Sequence, residues 1–286
     1  MNQFRFFSIG GLVFLFSLLL FSRCSLLNPD EPIPAYIKID RIDLTVAGGQ
    51  GSASHKITDA WVYVDGQLIG AFELPCTFPV IAAEGSHDII VRAGIKMNGT
   101  STTRAMYPFY RGYDATVTLT PGQVTTLNPV VTYFSGTNFL WIEDFEQPGL
   151  SLTDAPGSNF PNILQTISGP LAFESKSGAI QLNTDTFNML LYSSIPYLLN
   201  GTSPIYLELN YRSNNAFTVG IYNNTILYAP WVNVNPSGEW NKLYINITDA
   251  ITNISSGGNY HIYFAMQKEP SVTEPFLYLD NIKLLK

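Results

Sequence analysis

The chain has 286 residues, with 15 Lys and Arg against 22 Asp and Glu, and a formal net charge of -7 at pH 7. No stretch of sequence concentrates Lys or Arg, which argues against nucleic acid or an anionic surface as partner. Charged and aromatic residues each make up 13% of the chain, a composition typical of an extracellular β-protein, and the length predicts about two domains.

The N-terminus carries a secretory signal. Arg5 precedes an apolar run over residues 6–21, and a polar, proline-rich stretch follows Cys24. This pattern predicts a signal peptide over residues 1–23 and a tether over residues 24–34. The cysteine resembles the lipobox of bacterial lipoproteins, in which such a residue is diacylated and becomes the new N-terminus. The resemblance implies lipidation of Cys24, a membrane partner reached through the lipid anchor, and a place in the cell envelope, at the outer membrane or cell surface.

Two other interpretations of this segment remain open, because Arg23 stands where the lipobox has a small residue. The apolar stretch of residues 6–22 is at the lower length limit for a bilayer-spanning helix, so an uncleaved anchor is one alternative. An ordinary signal cut elsewhere is the other. All three interpretations place residues 35–286 outside the cytoplasm.

The rest of the chain predicts an all-β fold. Period-two alternation recurs between Gly, Pro, Asn and Asp turns, and no segment shows convincing helical periodicity. Within residues 35–133, a strand ending in VDG predicts a hairpin at Asp65-Gly66. Gly70 and the EGSH sequence at 84–87 follow it. This order resembles PEGA-like domains, which are small Ig-like sandwich modules of envelope proteins.

A different pattern begins after a short low-charge passage. LWIEDFEQPG opens it, GEWNKLYINIT lies in its middle, and FLYLDNIKLL closes it. These motifs resemble the jelly-roll modules that bind carbohydrate beside bacterial glycoside hydrolases. The resemblance implies a jelly roll over residues 138–286, so the sequence predicts two β-sandwich domains after the signal peptide.

Catalysis is not expected. The three histidines are scattered, no Gly-x-Ser-x-Gly elbow is present, and the only cysteine after the signal, Cys76, stands in an apolar strand. A glycosidase needs only two carboxylates about 5 to 10 Å apart in space, and such a pair is not visible in sequence. A glycoside hydrolase without recognisable motifs therefore stays as an alternative.

A structural calcium ion is the expected cofactor. Asp144 and Glu146 stand two residues apart, which places them on one face of a strand. In the resembled modules an acid of the first strand meets the Asp of the last strand at calcium, and the resemblance implies Asp280 for that role. Calcium prefers six to eight oxygen ligands. The alternative is that Asp280 caps a turn and the acids are solvated.

A ligand-binding face is predicted from four strands, over residues 205–212, 217–223, 242–247 and 260–267. Each strand has one apolar face, and together the opposite faces form one surface of Tyr, Asn, Arg, Glu, His and Gln. Aromatic rings pack on the C–H side of a sugar while polar groups take its hydroxyls. The predicted ligand residues are Tyr206, Arg212, Tyr222, Tyr244 and Tyr263. Trp231, in a loop-like stretch, is a second platform, and Trp240 is expected in the core. A solvated outer sheet face is the alternative.

The sequence thus predicts a non-catalytic cell-envelope lipoprotein that binds a glycan through its C-terminal jelly roll. A structural or assembly lipoprotein that docks a protein partner is the main alternative. The expected partner is accordingly a polysaccharide or an envelope protein.

Overall fold

The computed structural model describes residues 31–156, 158, 160–223, 227–254 and 258–286. The predicted signal peptide, Cys24 and the first part of the tether lie outside the described residues. Among the described residues, no helix is long and apolar enough to cross a membrane.

The first half is a β-sandwich. Its strands are β1 (Ala35–Ile39), β2 (Asp43–Thr45), β3 (Asp59–Val64), β4 (Gln67–Glu73), β5 (Cys76–Val80), β6 (Gly85–Lys96), β7 (Arg104–Met106), β8 (Tyr110–Arg111), β9 (Tyr113–Leu119), β10 (Val124–Leu127) and β11 (Val130–Tyr133). One sheet has the strand order β4-β3-β6-β7, with β9 paired to β6, and it packs against two three-stranded sheets, β10-β1-β5 and β2-β11-β8. Strand β1 pairs in parallel with β10, and β2 pairs in parallel with β11.

The predicted hairpin between β3 and β4 is confirmed. Asp65 and Gly66 have φ values of 49° and 80°, and Val64 pairs with Gln67 on either side of them. A tight hairpin needs positive φ at both central residues, which Asp-Gly tolerates better than most pairs. The alternation of β3 then turns Val62 and Val64 into the core.

The second half is a sandwich of two antiparallel sheets. Its strands are β12 (Phe139–Glu143), β13 (Leu152–Asp154), β14 (Gln165–Ser168), β15 (Lys176–Gln181), β16 (Asn188–Ser193), β17 (Tyr197–Leu199), β18 (Tyr206–Ser213), β19 (Phe217–Asn223), β20 (Leu227–Val234), β21 (Ser237–Asn246), β22 (Gly258–Gln267) and β23 (Phe276–Leu285). The inner sheet, which faces the first half, has the order β14-β15-β23-β18-β21 with β12 paired to β23. The outer sheet has the order β13-β16-β22-β19-β20 with β17 paired to β22.

The apolar faces of these two sheets form one core, which includes Leu207 and Leu209 of the inner sheet and Val219 and Phe264 of the outer sheet. The prediction of an all-β chain built of β-sandwiches is therefore confirmed. A short 3-10 helix lies at Gly169–Leu171.

One helix departs from the prediction of strands alone. Residues Ile247–Ile254 form α1, which begins at residue 247, where the third predicted strand (residues 242–247) is expected to end. The Asn246 side chain caps it by accepting a hydrogen bond from the Thr248 amide at 3.0 Å. Ile247, Ala250 and Ile251 are buried at helical spacing, and so short a segment gives too few positions for the periodicity to be recognised.

Candidate functional site

The predicted binding face is divided between two sheets. Alternation within each strand is as predicted, since Leu207 and Leu209 of β18 and Val219 and Ile221 of β19 all face the core. However, β18 and β21 belong to the inner sheet, whereas β19 and β22 belong to the outer sheet. Their polar faces look in opposite directions, so the expectation of one continuous four-stranded face is wrong. Tyr206, Arg212 and Tyr244 lie on one side of the sandwich, and Tyr222 and Tyr263 on the other.

The first half covers Tyr206 and Tyr244. Their side chains are 6% and 1% exposed. The Tyr107 ring lies 5.3 Å from the Tyr206 ring and 4.9 Å from the Tyr244 ring, between centroids. The Tyr244 hydroxyl is 3.2 Å from that of Tyr110 and accepts a hydrogen bond from the Lys56 amide at 3.0 Å. Both predicted ligand residues therefore form a contact between the two halves and are closed to a polysaccharide.

A buried acid, Glu208, lies beside these two tyrosines, directly opposite Tyr244 in the sheet. Glu208 is fully buried, and its carboxylate lies 3.0 Å from the Lys242 ammonium group and accepts a hydrogen bond from the Tyr107 hydroxyl at 2.7 Å. Burial alone would raise the pKa of Glu208, but Lys242 and Lys283 outweigh it and hold the pKa below its usual value. Sequence reasoning placed Glu208 on a polar face without assigning it a role, because its partner Tyr107 stands 101 residues away along the chain.

The uncovered end of the inner sheet carries a row of partly exposed aromatic rings around Arg212. Arg212 donates a hydrogen bond from Nε to the Gly238 carbonyl at 2.6 Å, and its guanidinium group lies 5.9 Å from the Phe276 ring. The Trp240 ring is 5.3 Å from Phe173 and 6.4 Å from Tyr278. The expectation that Trp240 lies in the core is wrong. Trp240 is in step with Lys242 and Tyr244 along β21, which places its side chain on the face of the inner sheet that points away from the core.

The outer sheet carries a second aromatic group, here named the tyrosine cluster: Tyr192, Tyr222, Tyr228, His261 and Tyr263. Register makes them neighbours, since Tyr192 pairs with Tyr263, and Tyr222 pairs with both His261 and Tyr228. The Tyr222 and Tyr228 rings stack at 4.6 Å, the Tyr192 and His261 rings lie 4.3 Å apart, and Tyr228 meets Tyr263 edge-on at 5.2 Å. The inner sheet separates this surface from the first half.

The cluster has buried members and reachable ones. Tyr222 and Tyr263 are 6% and 3% exposed, whereas Tyr192, Tyr228 and His261 are half-buried. The rings that a ligand can reach are therefore those of Tyr192, Tyr228 and His261, none of which is among the predicted ligand residues. Period-two reading of β16 would have found Tyr192, because Met189 and Leu191 point into the core on the opposite face.

The floor of the cluster is shaped by Gly220. A side chain there would place its Cβ 2.6 Å from the Tyr263 ring and 2.3 Å from the Ala229 carbonyl oxygen, so only glycine lets that ring approach the backbone so closely. Burial and the neighbouring tyrosines raise the pKa of Tyr228 to about 12, and burial likewise raises that of Tyr263 to about 12. Both hydroxyls are neutral at physiological pH, and that of Tyr228 donates to the Pro156 carbonyl.

Trp231, the second predicted platform, lies on β20 and is half-buried. Its indole N–H donates a hydrogen bond to the Asn246 carbonyl at 2.8 Å, and part of its side chain packs against the core. The strand therefore holds Trp231 more firmly than the predicted loop would, and its only polar donor is already used.

The predicted calcium ligands lie near one another without forming one site. The first strand of the second half ends at Glu143, and Phe145, which separates Asp144 from Glu146, has a φ of 57°. The expectation that these two acids share one face of a strand is therefore wrong. Glu146 accepts hydrogen bonds from the Ser175 hydroxyl and the Lys176 amide. In the part of the chain that the structure describes, no three His, Cys, Asp or Glu side chains are placed to hold a metal ion. Calcium binding stays a prediction.

Asp280 is nevertheless unusual. It is fully buried, and it accepts hydrogen bonds from the Ser177 hydroxyl at 2.6 Å and the Asn281 amide at 2.7 Å. Burial raises the pKa of Asp280 to about 7 against the opposing effect of these two hydrogen bonds, and the negative charges of Glu174 and Glu146 raise it further. A cation placed among these acids would relieve that repulsion.

No protein-family model matches the sequence, and no curated protein matches it. Solved structures with low similarity to it include a carbohydrate-binding module specific for non-crystalline cellulose, with 17% identity and a TM-score of 0.34, over 49% of this chain and 91% of that chain. A second is the C-terminal carbohydrate-binding module of a marine laminarinase from Zobellia galactanivorans. It has 12% identity and a TM-score of 0.29, over 47% of this chain and 98% of that chain.

A third is the K3 cleaved adhesin domain of Lys-gingipain from Porphyromonas gingivalis, with 13% identity and a TM-score of 0.33, over 52% of this chain and 99% of that chain. Similarity at this level carries no conclusion about what this chain binds. The function has to be inferred from its own residues.

Proposed function

We propose that this protein is a non-catalytic, glycan-binding lipoprotein of the cell envelope, and that the tyrosine cluster of the outer sheet contacts the glycan. The observation that carries the proposal is the convergence of four tyrosines and a histidine from four adjacent strands on one sheet face. A merely solvated sheet face can be built of charged and small polar side chains, whereas aromatic rings dominate this part of the outer sheet.

The surroundings of the cluster suit a sugar chain. On the same face, Tyr263 is followed along β22 by Ala265 and then by exposed Gln267, and Thr218 lies opposite Ala265. Small residues thus separate the rings from an amide that is open to solvent, and exposed Asn233 pairs with Thr218 at the next strand. Rings can pack on the C–H face of one sugar while these amides bind the hydroxyls of the next.

The envelope location is proposed from the N-terminal sequence. An apolar run that ends in Cys24, followed by a polar tether, supports attachment through a lipidated cysteine at the outer membrane or cell surface. Diacylation supplies two chains, which is what stable anchoring requires, since a single acyl chain holds only marginally.

A glycan array probed with the full chain in detergent tests the binding proposal, with Tyr192→Ala and Tyr228→Ala as the site variants. Each should weaken binding to the best polysaccharide by about 1 to 3 kcal/mol, by analogy with aromatic stacking on nucleic-acid bases. Tyr63→Ala, a half-buried tyrosine of the first half, is the matched control and should bind normally. Absence of any glycan ligand would refute the function. If Trp240→Ala weakens glycan binding and the two tyrosine variants do not, the binding site lies on the inner sheet.

A further inference from the structure

A cleft of about 320 Å³ lies where the two halves meet. Its first-half wall is formed by Lys56, Thr58 and the turn after β6, at Asn98 to Ser101. Its second-half wall is formed by β21 and the end of β20. Clefts of this size, at a junction between domains, are common places for small ligands.

The charge of this cleft is opposite to that of the whole protein. Lys56, Lys96 and Lys242 are among its lining residues, whereas no Asp or Glu is, in a chain of net charge -7. The three lysines are far apart in sequence, which explains why no basic stretch is visible there. The fold alone brings them together.

The lysines are not equally available. Lys242 is buried and lies 3.0 Å from Glu208. Lys96 lies 2.8 Å from Glu73, which does not line the cleft. Lys56 donates from Nζ to the amide oxygen of Asn241 at 2.7 Å, and none of the ion pairs among the described residues includes it. Burial, and to a lesser extent the charge of Lys96, lower the pKa of Lys56. An anion between the two ammonium groups would remove this repulsion.

The remaining lining matches a molecule rich in hydroxyl groups. Asn233 and Asn235 are exposed at the rim, and Thr100 and Ser101 face them from the first half. Deeper in the cleft, Asn241 donates to the Tyr211 hydroxyl at 3.2 Å, and that hydroxyl donates to the Asn235 carbonyl at 3.2 Å. Amides and hydroxyls of this kind both donate and accept, as sugar hydroxyls do.

We propose that this cleft binds an acidic sugar, with its carboxylate or sulfate group between Lys56 and Lys96 and its hydroxyls against the asparagines. The inference rests on the proposed function, because it names the chemical class of the glycan: an anionic polysaccharide. One acidic unit occupies the cleft. The tyrosine cluster is a separate site on the polar face of the outer sheet, whose edge strand β20 also reaches the cleft.

Isothermal titration of the full chain in detergent tests the proposal with three probes: an oligogalacturonate, a sulfated galactan oligosaccharide and a neutral galactan oligosaccharide. The first two distinguish a carboxylate from a sulfate ester, and at least one should bind at least about tenfold more tightly than the neutral probe. Lys56→Gln should weaken that binding by about tenfold or more, the effect expected when a charged hydrogen bond is lost. Lys56→Arg, which keeps the charge, should retain most of it.

Lys38→Gln is the matched control, because it removes one exposed lysine of the first half away from the cleft. The inference would be overturned if Lys56→Gln and Lys38→Gln weaken acidic-probe binding equally, or if wild type shows no preference for an acidic probe. A neutral polysaccharide whose binding depends on Tyr228 and not on Lys56 would overturn it while leaving the proposed function intact. Acidic binding that depends on Lys56 and not on Tyr228 would instead support the cleft and refute the tyrosine cluster.

Discussion

The hydroxyl of Tyr133, at the end of the first half, lies 2.9 and 3.0 Å from the two carboxylate oxygens of Glu208 in the second half. Both side chains are buried at the junction, where Lys242 and Tyr107 complete the surroundings of the carboxylate. An ionised group without water must find all its partners within the protein. The two halves are therefore joined by a polar network that neither half completes alone.

Removing the carboxylate should be costly. We expect Glu208→Ala to lower the free energy of unfolding by about 3–5 kcal/mol, because it leaves buried Lys242 and two tyrosine hydroxyls without their acceptor. Urea denaturation of the full chain measures this loss. Glu239→Ala, an exposed acid of β21, is the control and should stay within about 0.5 kcal/mol. A loss below about 1 kcal/mol for Glu208→Ala would mean that water enters the junction.

The same network predicts a pH dependence. The folded pKa of Glu208 is held below its unfolded value, so its stabilising contribution is present above the unfolded pKa and disappears as pH falls through the folded pKa. Wild type should therefore lose more stability than Glu208→Gln between about pH 6 and about pH 3. Parallel thermal melts of the two proteins measure the difference, and identical pH profiles would contradict it.

The sequence predicts the direction of side chains better than their surroundings. Alternation correctly turned Leu207 inward and Tyr206 outward, because a strand allows only those two directions. It contained no information on which sheet a strand joins, so Tyr206 and Tyr222 were assigned to one face. It also missed that Tyr206 is covered, since its neighbours Tyr107 and Phe109 stand about a hundred residues earlier in the chain. The GEWNKLYINIT motif predicts a core position for Trp240, whereas its alternation with the buried Leu243 and Ile245 places it on the opposite face of the strand.

Buried and half-buried members of the tyrosine cluster should contribute differently to stability. Tyr222 is nearly buried under its neighbours, so Tyr222→Ala should lower the free energy of unfolding by about 3 kcal/mol, the low end for a buried aromatic truncation. Tyr228 is half-buried, and Tyr228→Ala should cost only about 1 kcal/mol. Denaturation curves for both variants decide this, and the reverse order would show that Tyr228 supports the cluster and Tyr222 forms its surface.

Anchoring should depend on Cys24. Cys24→Ala removes the thiol that the lipobox-like sequence offers for acylation, so incorporation of a fatty-acid analogue should be abolished and the protein should leave the membrane fraction. Cys76→Ala, the other cysteine, is the control for labelling. Persistent labelling of Cys24→Ala would refute the lipoprotein proposal. Retention in the membrane without labelling would favour the uncleaved anchor.

The last prediction concerns Asp280, whose folded pKa of about 7 lies well above its usual value because it is buried. A raised folded pKa means that the native state holds the proton, so the contribution of Asp280 is complete below the unfolded pKa and is lost as pH rises through the folded pKa. Asp280→Asn keeps a side chain of nearly the same shape but removes the group that gains and loses a proton. The melting temperature of wild type relative to Asp280→Asn should therefore fall between about pH 5 and about pH 8.

Calcium can be tested in the same melts, after treatment with a chelator. A carboxylate ligand must lose its proton to bind a metal, so millimolar calcium should raise the melting temperature of wild type at about pH 8 more than at about pH 5. Asp280→Asn should not respond, and Asp185→Asn, an exposed acid elsewhere in the second half, should respond as wild type does. If calcium does not change the melting temperature of the wild type, the predicted metal site is wrong. The difference in melting temperature between the two proteins as pH rises would still show that Asp280 is a buried acid with a raised pKa.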